Sequence, residues 1–238
     1  MYIGQHYSWI YLRRHWQSVV RPRPASSRRH LLQVYDNSIT QLEMTEQLKT
    51  YFANNFQATT AEIEQVVSAF KERSVKKNEV LISKGDVCRY TYFVCKGSVR
   101  AYFIDEDGQE ATRYIALENQ FITTIHSFIS QTPTNEFIEA TEQGELLQIS
   151  YIDFKTLIEK TTLARDLYNK QLEVAYITNH WRLESFLKMS AKQRYDLLLQ
   201  TSPAIIQRLS NKIVASYLGI TQESLSRVKA QKWFFIIW

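Results

Sequence analysis

The sequence has too few cysteines to build a site from them. Cys88 and Cys95 are the two in the chain, fewer than a disulfide scaffold or an iron–sulfur cluster needs. Both stand in strand-like sequence, which predicts buried structural thiols, and a reducing cytoplasm is the expected location. Long apolar runs are also missing. The longest, Trp233–Trp238, has six residues, against the roughly 18 of a membrane span, so no membrane partner is expected. Histidine is sparse. Only His126 falls in the strand-rich middle of the chain, which leaves no His/Glu cluster for a cupin-like metal site. No nucleophile motif and no phosphate-cradling glycine loop is recognisable. Neither an enzyme nor a metal site is expected, with a cupin-like metalloenzyme as the alternative.

Negative charge is missing from the first thirty residues. They hold Arg13, Arg14, Arg21, Arg23, Arg28 and Arg29 without one acid, a net +6. Residues 189–238 carry +5, which leaves −6 for residues 31–188 of a chain whose net charge is +5. A basic end on an acidic body points to the end as the part that meets a polyanion. An ordinary solvated face is the alternative. Residues 1–40 lack the apolar core of a secretory signal and contain Arg21-Pro-Arg-Pro24 and Ser26-Ser27, so they are expected to form a basic, flexible extension.

The rest of the chain has clear periodicities. Residues 40–73 read as helical, with Ile63, Val66, Val67 and Phe70 at helical spacing and Thr60 placed to cap the second helix. From Val75 to about Ile152 the period shortens. Val80–Ile82, Tyr92–Val94, Val99–Ile104, Thr112–Ile115 and Leu146–Ile149 are short β-branched or aromatic runs. Gly85, Gly97, Gly108 and Gly144 mark the turns between them. This pattern predicts a small antiparallel barrel or roll from Val75 to about Ile152, the β-roll part of a domain over residues 41–160 in an α+β protein. Asp107-Gly108 predicts a tight type I′ hairpin. Residues 161–188 read as one long helix with two apolar stripes. Leu172, Tyr176, Asn179, Leu183 and Phe186 form one; Leu167, Val174, Ile177 and Trp181 form the other. Two stripes have two surfaces to cover. One would pack on the roll and the first would join a second copy of the chain, with Asn179 fixing register. Burial of both stripes in one core is the alternative.

Residues 189–238 predict a helix-turn-helix. Ser210 can cap a short helix that buries Ile213, Val214 and Leu218, with the small Ala215 allowing a crossing helix to approach. Gly219 follows as the turn demands, Ile220 plugs the turn, and Thr221 caps a second helix with Leu225 and Val228 inward. A plain helical hairpin is the alternative. In a helix-turn-helix the second helix would offer Gln222, Glu223, Ser226 and Arg227 to base edges, since Gln matches adenine, Arg matches guanine and Glu accepts from cytosine. Ser210, Lys212, Thr221, Lys229 and Lys232 suit phosphate contacts, which position without specifying.

The order helix, β-roll, long helix, helix-turn-helix resembles the Crp–Fnr family of bacterial regulators, over about residues 41–232. Its most specific part is Ile213-Val-Ala-Ser-Tyr-Leu-Gly-Ile-Thr-Gln-Glu-Ser-Leu-Ser-Arg-Val228. Ser83-Lys-Gly-Asp86 and Tyr92-Phe-Val-Cys-Lys-Gly-Ser-Val99 are similar to turns and a strand of the family's effector domain (a double-stranded β-helix). The resemblance implies a homodimer joined by the long helix. It also implies binding to a pseudo-palindromic double-stranded DNA operator and, as further partners, RNA polymerase and a small-molecule effector. In members that bind cyclic AMP, a Phe-Ile-Gly-Glu-Leu segment and a later Arg-Ser hold the ribose and the phosphate. Here Phe121-Ile-Thr-Thr-Ile125 stands at the first, so Thr124 replaces the Glu, and Thr134-Asn135 stands at the second. A buried phosphate without its cation is poorly compensated. Cyclic AMP is therefore not expected as the effector, and the pocket of Phe121, Thr124, His126, Thr134 and Asn135 is expected to be degenerate. Residues 1–87 hold no cysteine, which argues against an iron–sulfur sensor of the family's oxygen-sensing branch. The alternative function is an effector-sensing interaction module whose helix-turn-helix does not bind DNA.

Overall fold

The computed structural model describes residues 42–230. The expected extension over residues 1–40, Lys232 and the apolar tail 233–238 lie outside the described residues.

Helix α1 covers residues 42–55 and α2 covers Thr60–Val67. The cap of α2 is Thr59, one residue before the expected Thr60. Its hydroxyl accepts from the Glu62 N–H at 3.2 Å, and the Glu62 carboxylate accepts from the Thr59 N–H at 3.1 Å. This reciprocal pair satisfies two amides that the first turn cannot bond internally. Met44, Leu48 and Phe52 of α1 are buried in the same core as Ile63, Val66 and Val67 of α2.

Eight strands follow: β1 (Lys71–Val75), β2 (Val80–Ile82), β3 (Tyr90–Lys96), β4 (Val99–Ile104), β5 (Glu110–Ala116), β6 (Phe121–Ile122), β7 (Phe137–Ala140) and β8 (Gly144–Ser150). They form two antiparallel four-stranded sheets, in the orders β1-β8-β3-β6 and β2-β7-β4-β5. Phe93, Val94, Ile138, Leu146, Leu147 and Ile149 fill the core of this roll. Strand β1 replaces the end of the expected helical segment. It pairs with β8 from Lys71↔Gln148 to Val75↔Gly144. Its sequence Lys-Glu-Arg-Ser-Val buries only the valine, so it lacks the alternation that reveals a strand.

The β4–β5 hairpin also differs from expectation. A type I′ turn would need positive φ at both Asp107 and Gly108, but only Gly108 has it, at 77°. The loop closes through Asp105. Its carbonyl accepts from the Gly108 N–H at 3.1 Å, and its side chain accepts from the amides of Asp107 and Gln109 at 3.0 and 2.8 Å. The Asp side chain thus supplies the turn contacts that a second left-handed residue would have supplied.

Helix α3 (Ile125–Ser130) sits between β6 and β7, and α4 (Tyr151–Lys160) and α5 (Thr162–Lys188) follow the roll. Helix α5 has 27 residues, about 40 Å at 1.5 Å per residue. The Thr161 hydroxyl caps it, and Leu163, Ala164 and Leu167 anchor its first turns in the roll core. Helices α6 (Ala191–Thr201), α7 (Pro203–Arg208), α8 (Asn211–Leu218) and α9 (Gln222–Ala230) form a second cluster around Leu198, Val214, Leu218 and Leu225.

Gly144 opens β8 where the chain crosses the β3–β4 turn, and a Cβ there would overlap the carbonyl oxygen of Lys96. The neighbour is backbone and cannot swing aside, so Gly144→Ala should destabilise the fold by about 1–3 kcal/mol. Denaturant unfolding followed by circular dichroism would show a lowered midpoint at unchanged slope.

Candidate nucleic-acid interface

Helices α8 and α9 form the expected helix-turn-helix arrangement. The Ser210 hydroxyl accepts from the Ile213 N–H to start α8. The turn is closed at Gly219, which has φ 63°, by the Ile220 N–H donating to the Ala215 carbonyl at 3.0 Å. This is the six-residue reach of a Schellman cap, which needs a left-handed residue inside it. Gly219 has a second constraint: a Cβ there would lie 2.5 Å from the ring of Phe186. The Thr221 hydroxyl then accepts from the Ser224 N–H at 3.2 Å. Leu225 and Val228 turn inward onto Val214, Ala215 and Leu218.

Inward placement of Leu225 and Val228 leaves Gln222, Glu223, Ser226 and Arg227 together on the exposed side of α9. Arg227 Nη2 donates to the Ser224 hydroxyl at 3.1 Å, which orients the guanidinium along the helix. The Glu223 carboxyl is held below its ordinary range, first by a backbone amide at the helix start and then by the Thr221 hydroxyl. Of the expected phosphate residues, Ser210 and Thr221 are exposed caps. Lys229 Nζ donates to Asn211 Oδ1 at 2.6 Å, tying α9 to the start of α8. Lys212 instead points at the roll, with Nζ 2.5 Å from Glu110 Oε1.

That contact is part of a larger seam between α8 and β5. Thr112 and Ser216 share a hydrogen bond of 2.5 Å. Ile115, a strand residue, is buried in the cluster of α6–α9. Arg208 spans Glu118 and Glu142 of the roll at 2.7 Å each. Arg208 hydrogen bonds first, with help from backbone amides, hold the Glu118 carboxyl below its usual range. Burial would raise Glu110 and Glu142, but the basic partners (Lys212 and Arg100 for one, Arg208 for the other) outweigh it and lower both. Arg182 of α5 donates to the Thr112 carbonyl at 2.6 Å and the Tyr217 carbonyl at 3.0 Å. Arg194 of α6 donates to the Leu218 and Met189 carbonyls at 3.0 and 2.7 Å. None of Arg182, Arg194 and Arg208 belonged to the expected site, because each has a partner distant in sequence, which leaves no local pattern.

The expected effector pocket is dispersed. Phe121 lines two small cavities between the roll and α5, of about 20 and 40 Å³. Thr124 is fully buried, and its hydroxyl has no hydrogen-bond partner among the described residues. Thr134 is buried, and its hydroxyl accepts from the Glu136 N–H. His126 and Asn135 are exposed, and neither lines either of these two cavities. The cation that does line the larger cavity is Arg113 of β5, and it is ion-paired with Glu136.

The long-helix stripe is divided. Leu172 and Asn179 line the cavities, and Phe186 turns toward Gly219. Tyr176 and Leu183 remain 73% and 60% exposed, beside Ile177, Trp181 and Leu187 on the same open side of α5.

The profile of the cyclic nucleotide-binding domain family matches residues 72–161. No curated protein sequence matches the chain significantly. Among solved structures, the c-di-GMP responsive regulator CLP of Xanthomonas campestris is 20% identical with a TM-score of 0.60, over 73% of this chain and 91% of its own. FixK2 of Bradyrhizobium japonicum is 19% identical with a TM-score of 0.59, over 68% and 83%. A protein of Eubacterium rectale assigned to the crp/fnr family of transcriptional regulators is 20% identical with a TM-score of 0.56, over 72% and 82%. Residues 72–161 thus match the cyclic nucleotide-binding domain family, and the described residues share the fold of the Crp–Fnr regulators.

Proposed function

We propose that the chain is a dimeric, sequence-specific DNA-binding transcription regulator, controlled by an effector other than cyclic AMP. The observation that carries the reading is the exposed face of α9. Four side chains able to read base edges stand together there, on a helix whose opposite side is buried. A recognition helix needs that division to lie in a major groove. The open apolar side of α5 supports a second copy of the chain as partner. In that dimer Tyr176, Ile177, Trp181 and Leu183 form the seam, while Leu172, Asn179 and Phe186 serve the chain's own interior. RNA polymerase is the proposed downstream partner, and the cytoplasm is the proposed location. The alternative, an interaction module without DNA binding, has no specific observation in its favour.

Several features argue against cyclic AMP. Thr124 and Thr134 stand where cyclic-AMP-binding members use Glu and Arg. Arg113, the cation that lines the larger cavity, is engaged by Glu136. The larger cavity, about 40 Å³, has room for about three waters, whereas small-molecule pockets run to roughly 300 Å³ and above. The Xanthomonas regulator of the same fold is c-di-GMP responsive, so the fold itself is compatible with other effectors.

Fluorescence anisotropy with duplex DNA tests the reading. Arg227→Ala should cost about 1–3 kcal/mol against a selected site and little against random sequence. Lys212→Gln should weaken binding to all duplexes alike. Equal loss on both sequence classes in the Arg227 variant would remove it from base reading. Calorimetry with cyclic AMP should detect no heat of binding at micromolar ligand, and a micromolar or tighter affinity would contradict the pocket argument.

A further inference from the structure

Arg208, at the end of α7, and Lys212, in the first turn of α8, flank Ser210 at the start of the helix-turn-helix. The roll presents a carboxylate to each. Arg208 Nη1 and Nη2 reach Glu118 at 2.7 Å, and Nη2 also reaches Glu142 at 2.7 Å. Lys212 reaches Glu110 at 2.5 Å. These acids are fixed from behind. Glu118 accepts from the Gly97 N–H at 2.9 Å and Glu142 from the Ser98 hydroxyl at 2.5 Å. Glu110 Oε2 lies 2.6 Å from Arg100, which is itself buried against Glu139. A fork of carboxylate oxygens on an arginine has the geometry of a phosphate on the same arginine.

From this arrangement we propose that Glu110, Glu118 and Glu142 act as an internal substitute for DNA phosphates. Docking of the helix-turn-helix on the roll and binding of a DNA backbone then compete for Arg208 and Lys212. The proposal rests on the DNA-binding reading and adds to it a source of restraint inside one protomer. The competition is reciprocal. Duplex DNA must loosen the seam, and a weakened seam must tighten DNA binding by the same factor.

The test uses the full chain and a duplex of random sequence. A zero-length carbodiimide joins a lysine to a carboxylate only when they touch, so a Lys212–Glu110 cross-linked peptide should form in the free protein. A duplex concentration that saturates anisotropy should suppress it severalfold. The double variant Glu118→Gln, Glu142→Gln should bind the same duplex about three- to tenfold tighter at low salt. The control Glu46→Gln, Glu184→Gln makes the same charge change at acids paired with Lys49 and Lys188, and should leave affinity within twofold. Failure of the cross-link to form in free protein would overturn the proposal. So would a cross-link that persists under saturating duplex, or a double variant no tighter than the control. In those cases DNA binding itself would still stand. Absence of duplex binding by the wild type and both variants would overturn the DNA-binding reading and the proposal together.

Discussion

The guanidinium of Arg182 stands where three parts of the molecule meet. It is carried by the long helix, and it donates to the Thr112 carbonyl of the roll and to the Tyr217 carbonyl of the helix-turn-helix. The rings of Phe186 and Tyr217 lie 4.8 and 5.0 Å from it. Partial burial lowers its pKa from the ordinary arginine value. A partly buried cation still needs its donors met, and here backbone carbonyls and aromatic faces meet them. Arg182 of α5 therefore joins the seam of Thr112, Ser216, Ile115, Arg208 and Lys212 in placing α8 and α9 on the roll. Phe186, one turn further along the same helix, adds a steric contact with Gly219.

This geometry gives the long helix two tasks on two faces. Its inner face fixes the roll and the helix-turn-helix to each other. Its outer face, with Tyr176, Ile177, Trp181 and Leu183, is exposed, and in the proposed dimer it would face the second copy. In the proposed dimer, a shift of one α5 against the other would move Arg182 and Phe186, and with them the turn at Gly219. That would couple the dimer seam to the recognition helix without a ligand touching either. The acidic rim of the roll would then oppose, and DNA phosphates favour, release of Arg208 and Lys212.

Much of the fold was legible in the sequence because its elements bury one face each. Val99–Ile104 and Val80–Ile82 have the same bounds as expected, and the cap-turn-cap of Ser210, Gly219 and Thr221 is local chemistry that any reader of the chain can follow. β1 was not legible, because an edge strand of mostly exposed charged residues has no apolar period. The hairpin at Gly108 departs from the expected type I′ turn because the Asp105 side chain supplies the contacts of a second positive φ. The candidate reading face of α9 could be placed, since it is the complement of Leu225 and Val228. The cavity was harder. His126 and Asn135 are near Phe121 in sequence yet exposed, because α3 and the loop after it turn them outward. Arg113 was missed since one charged residue within a strand run gives no sign of facing a cavity. The five-residue stripe of α5 is divided, because Leu172 and Asn179 line the cavities and Phe186 packs at Gly219 while Tyr176 and Leu183 stay exposed.

Sequence-specific DNA binding by a two-fold protein is the central proposal. Selection of bound duplexes from a random pool, followed by sequencing, tests that most directly. The account predicts enrichment of a pseudo-palindrome whose half-sites are about one helical turn, roughly 34 Å, apart. No enrichment, or a single half-site bound by one chain, would contradict it.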